Sequence, residues 1–104
     1  MKILGKEIDY NLDDAENIDK LRELDNGYSE KLKETTRLTE QCKIYKEFFD
    51  KAIGEGTSKL LFDNKNNYME IIRAYNEFIS QIEEKLNEFI CEAEKAKQKY
   101  ERYK

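Results

Sequence analysis

An all-α fold is what this sequence predicts, and three observations carry the prediction. Proline is absent and only four glycines occur in 104 residues, so long helices meet few breakers. Charged residues make up 40% of the chain against 38% hydrophobic, a balance that suits elongated helices with narrow apolar stripes better than a thick core. From Tyr68 onward, Ile71, Tyr75, Phe78, Ile82, Leu86, Phe89, Ala93, Ala96, Tyr100 and Tyr103 step by three and four, which makes a heptad-like seam. The length leaves room for one domain.

Residues 1–12 hold the only strand character. Ile3 and Leu4 precede Gly5-Lys6, and Ile8 and Tyr10 follow it, which predicts a small β-hairpin or extended segment. An isolated hairpin is marginal in water, so this element must pack on a helix or pair with another chain. Asp13, with Glu16 three residues on, has the spacing of a helix N-terminus and starts a first helix over 13–53. Its stripe runs through Ile18, Leu21, Leu24, Tyr28, Leu32, Thr35, Leu38, Cys42, Tyr45, Phe49 and Ala52. Asp25-Asn26-Gly27 is the place where it would kink or split, and we read it as continuous.

Gly54-Glu55-Gly56-Thr57 ends this helix, with glycine free to turn left-handed and Thr57 able to cap a short helix over 57–63. Asp63 to Asn67 is a second break, where Asn66 or Asn67 can cap a helix over 67–103. At 1.5 Å per residue the two long helices are roughly 60 Å and 55 Å, matched for a long antiparallel helical hairpin. That pairing puts Cys42 opposite the region near Phe78 and leaves Cys91 roughly 20 Å away, too far for a disulfide.

Several classes of function are disfavoured. Without histidine the commonest general base and metal ligand is missing, so the chain reads as a non-enzyme with no metal or cofactor. Gly54-Glu55-Gly56-Thr57 lacks the spacing and lysine of a phosphate loop. A net charge of -4 argues against nucleic-acid binding, and no apolar run reaches the ~20 residues that span a bilayer. A cytoplasmic protein is expected. Charge is uneven: residues 1–30 carry nine acids and four bases, whereas residues 95–104 carry five bases and one acid. Cations suit the last turns of a helix, and a basic docking tail is the alternative. A thin interior favours self-association, so a homo-oligomer is expected.

Leu60-Leu61-Phe62 cannot all be satisfied by one helix face, which leaves a cap over the end of the hairpin or a contact with a protein partner. Around it the chain resembles a family of small tail assembly chaperones from tailed phages and prophages of Gram-positive bacteria. The likeness covers residues 1 to about 82. It rests on Met1-Lys2-Ile3, Gly5, Glu7-Ile8-Asp9, Cys42, Phe48-Phe49-Asp50, Gly54-Glu55-Gly56-Thr57, Leu61-Phe62, Asn66 or Asn67, Ala74-Tyr75 and Glu77-Phe78-Ile79. Members often continue into a basic tail with Asn-Arg-Ala and paired arginines, a motif this chain lacks. The resemblance implies a non-catalytic chaperone or scaffold that binds tape-measure or tail-tube subunits during virion morphogenesis, with Phe48, Phe49, Leu60, Leu61 and Phe62 as its candidate contacts. The alternative is a self-associating coiled-coil structural or regulatory protein.

Overall fold

The computed structural model describes residues 1–102 and is all-α apart from one small hairpin. Strands β1 (Lys2–Ile3) and β2 (Lys6–Glu7) pair antiparallel. Helices α1 (Ala15–Lys33), α2 (Leu38–Ala52), α3 (Thr57–Phe62) and α4 (Tyr68–Arg102) follow. Tyr103, the last seam position, lies outside the described residues.

The expected first helix over 13–53 is corrected to two helices, and the break is not at Asp25-Asn26-Gly27. Helix α1 runs through that triplet and ends at Lys33. Tertiary contacts outweigh weak local propensity there: Leu21 and Tyr28 on either side are buried, and Asp25 accepts a hydrogen bond from the Tyr75 hydroxyl. The chain leaves the helix at Thr35-Thr36 instead. Thr35 caps the end of α1, its hydroxyl donating to Lys31 O at 3.0 Å and its N–H to Leu32 O at 3.2 Å. The Gln41 side chain donates back to Thr35 O at 3.0 Å, fixing the tight reversal into α2.

This split changes the pairing of the long helices. Gln41 meets Tyr68, Tyr45 meets Tyr75 and Phe48 meets Phe78, so contacts advance in the same sense along α2 and α4. The antiparallel partner of α4 is α1, since Asp25 bonds Tyr75 while Asp13, just ahead of α1, bonds Lys85 at 2.8 Å. Phe78 therefore faces Phe48 and Phe49, at ring distances of 5.9 and 5.7 Å, and not Cys42 as the simple hairpin predicted. Cys42 is buried and Cys91 exposed, both as free thiols.

Rings fill the centre. Phe48 touches Tyr28, Phe49, Tyr75 and Phe78, with centroids 5.7–5.9 Å apart. Phe49 also meets Phe62 at 5.7 Å. Such edge and tilted contacts add roughly 0.5–1.5 kcal/mol per pair to the area that the rings bury. Ile18, Leu21, Leu61, Ile71 and Ala74 close around them.

The hairpin packs on this body. Its turn falls at Leu4-Gly5, with φ of 53° and 74°, one residue earlier than Gly5-Lys6. Two positive φ values suit the right-handed twist of a two-residue hairpin loop. Leu4 N–H donates to Glu77 at 2.7 Å, Gln81 donates to Lys2 O at 2.8 Å, and Ile3 and Ile8 are buried. The N-cap of α1 is Asp14, one residue after the expected Asp13; its carboxylate accepts from Glu16 N–H at 2.9 Å. Asn67 caps α4, accepting from Glu70 N–H at 3.2 Å.

Candidate protein-contact surface

Four of the five residues expected to touch a partner are core residues. Phe48, Phe49, Leu61 and Phe62 are at most 3% exposed, so an intact chain cannot offer them to another protein. Their assignment as contacts is corrected: each is held inward because α2, α3 and α4 converge on the same ring cluster. Leu60 alone points outward, 55% exposed. Thus the three-residue apolar run divides, with Leu61 and Phe62 capping the body and Leu60 left on its surface.

The Phe-Phe-Asp to Gly-Glu-Gly-Thr succession builds this corner. Asp50 reaches across the loop and accepts from both Ser58 N–H and the Ser58 hydroxyl, each at 2.9 Å. One carboxylate thereby satisfies the first turn of α3, whose N-cap, Gly56, has no side chain to do so. Gly56 adopts φ 89°, a conformation that costs other residues about 1–2 kcal/mol. Thr57 was expected to cap α3; its hydroxyl turns back instead and donates to Gly54 O at 2.7 Å. At the other end of α3, Lys6 Nζ donates to Leu60 O and Leu61 O at 2.8 and 3.0 Å, tying the hairpin to the corner.

A groove of about 220 Å³ runs between α1 and α4, floored by Leu21, Ile79, Ile82 and Leu86 and edged by Arg22, Asp25 and Glu83. Above it the Tyr75 hydroxyl donates to Asp25. Burial, then that hydrogen bond and the nearby Asp25 charge, push the phenol well above its ordinary range. This is a packing contact with a charge-assisted bond, and the Ser29 hydroxyl and the Tyr45 ring also interact with Tyr75. Among the described residues no three acids or cysteines gather where they could hold a metal ion.

The surface that stands out is the far half of α4. Its seam is buried at Ile71, Phe78 and Ile82 and half-buried at Tyr68, Tyr75, Leu86 and Phe89, and every residue from Ile90 to Glu101 is exposed. Ile90 and Tyr100, at 55% and 65%, are among the most exposed large apolar side chains. The helix is about 52 Å long by its 35 residues, which accounts for most of the 58 Å length of the molecule. The heptad steps do not stop where the body stops. Sequence reasoning identified this seam but could not tell how much of it another helix of the same chain covers; the split of the first helix decides that.

The architecture is that of a small aromatic-cored helical body carrying a helical arm. No helix among the described residues is long and apolar enough to cross a membrane. The chain belongs to a family of unknown function, DUF6673, whose model matches residues 4–104. No curated protein and no solved structure matches it.

Proposed function

We propose that this chain is a non-catalytic assembly chaperone or scaffold that binds helical segments of other proteins through the far half of α4. The phage resemblance supplies the setting: tape-measure or tail-tube subunits, met in the host cytoplasm before or during polymerisation. One observation supports the reading most, the continuation of the heptad steps along α4 past Phe89, over residues that are all exposed from Ile90 to Glu101. A helix presenting apolar residues at such spacing is suited to pack against another helix, and a tape measure is itself long and helical.

The test is co-expression with tape-measure and tail-tube fragments from the genome that encodes the chain. Co-purification is expected, together with its loss in an Ile90→Glu/Tyr100→Glu variant of unchanged helicity. Failure to retain any such fragment, or retention by that variant, would count against the reading. The heptad seam also favours the second reading, a coiled-coil structural or regulatory protein; a tight oligomer indifferent to those fragments would support it.

A further inference from the structure

The charge along the arm is divided into two blocks. Residues 83–94 carry five acids (Glu83, Glu84, Glu88, Glu92, Glu94) and one base, Lys85, whereas residues 95–104 carry five bases and one acid. Two arms side by side in parallel would set Lys95, Lys97 and Lys99 against their own copies. Reversed, each basic block lies along an acidic one.

We infer that the far half of α4 pairs antiparallel with the same segment of a second copy, in a two-fold symmetric dimer centred between Ala93 and Ala96. In that register Ala93 of one copy meets Ala96 of the other, Phe89 meets Tyr100, and Glu92 flanks Lys99. Small residues lie at the centre, where the helices approach most closely, and rings lie at both ends. The two-fold axis makes each contact occur twice.

A separate feature of the body agrees with this orientation. The Lys85–Asp13 ion pair, at 2.8 Å, places the acidic entry to α1 beside α4 at residue 85. Asp13, Asp14 and Glu16, at that entry, are all exposed. In the antiparallel register Lys95, Lys97 and Lys99 of the second copy run along α4 toward this level. The local pair Lys95–Glu92, at 3.5 Å with both groups about 70% exposed, is weak enough to exchange for contacts between copies.

The contact is short and two of its apolar layers are alanine, so the attraction depends heavily on exposed charge and must weaken with salt. The dimer rests on the reading of the arm as a protein-contact surface. It names what occupies that surface when no client is present.

The test is sedimentation of the full chain at low and high salt. Dimer is expected at concentrations on the order of 100 μM in low salt, with the dissociation constant rising about tenfold or more in Lys95→Glu/Lys97→Glu/Lys99→Glu or at 1 M salt. Orientation is read with a short bismaleimide in a Cys91→Ser background. Phe89→Cys mixed with Tyr100→Cys should cross-link, and neither should cross-link alone, because like positions lie 11 residues or roughly 16 Å apart along the axis. A chain that is monomeric under these conditions, a dimer indifferent to charge reversal, or cross-linking of Phe89→Cys to itself overturns the proposal. Should either cysteine variant fail to dimerise, the seam is supported and the charge-reversal result decides. A monomer that still captures a tape-measure fragment would sink the dimer and leave the client reading standing; a dimer that captures nothing would do the reverse.

Discussion

Two tyrosines show how single side chains set the stability of this body. The Tyr10 hydroxyl is buried with no hydrogen-bond partner among the described residues, and burial, with the Asp14 charge second, raises its pKa. A buried unpaired hydroxyl costs about 1–3 kcal/mol, so Tyr10→Phe is expected to stabilise the protein by roughly 1 kcal/mol. Urea unfolding checks this, and a loss of stability would show that the hydroxyl is bonded. Tyr75 differs, because its hydroxyl has a carboxylate partner in Asp25. Its folded pKa lies above the ordinary value of 10.0, chiefly through burial and then that bond. The native state therefore holds the proton more tightly than the unfolded chain does. That contribution is complete below pH 10 and is lost as pH rises toward the folded value. Tyr28 and Tyr45 shift in the same direction, again mainly through burial. Stability is expected to fall from about pH 10 upward, and less steeply in Tyr75→Phe, as chemical denaturation between pH 9 and 12 would measure. An equal slope in both proteins would remove Tyr75 as a cause.

At the scale of elements, the sequence is legible wherever one strong local cue acts alone. The seam of α4, the Asn67 cap and the left-handed pair Asp63 and Asn64 all follow from spacing or from side chains that bond to their own backbone. The hairpin is legible too, although its turn slips by one residue. The break in the first helix is not, because Asp25-Asn26-Gly27 has the stronger turn composition and stays helical, while Thr35-Thr36 has the weaker and ends α1. That outcome is decided by contacts from α4, which no local window contains. Phe48, Phe49, Leu61 and Phe62 failed as contacts for a similar reason: apolar character says that a side chain seeks cover, not which chain provides it. The most specific stretch of the resemblance is thus a folding corner, and Asp50 is its anchor. Asp50→Ala should release both bonds to Ser58 and cost about 0.5–2 kcal/mol, the usual range for a lost helix cap. Thermal unfolding measures this; an unchanged midpoint would mean that the corner is held by Gly56 and Thr57 without the carboxylate.

For the molecule as a whole, the body and the arm answer to different forces. Buried rings and aliphatic side chains from the hairpin segment (Ile3 and Ile8) and all four helices hold the body together, and none of the residues from Ile90 to Glu101 is buried in that core. Folding of the body should therefore depend little on the arm, whereas any association through α4 should depend on it entirely. A chain ending at Phe89 keeps every residue that is buried among those described and the groove between α1 and α4. It loses the exposed turns of α4, whose helix propensity contributes only tenths of a kcal/mol per residue. Its thermal midpoint should lie within a few degrees of the full chain's, since about 1 kcal/mol moves a domain of this size by roughly 4–8 °C. Self-association and capture of helical clients should both disappear. Calorimetry and sedimentation on the same sample read the two effects separately. A large drop in midpoint with the oligomer retained would make the arm part of the fold and place the contact surface elsewhere, with Leu38, Leu60 and Met69 on the body the next exposed apolar side chains to examine.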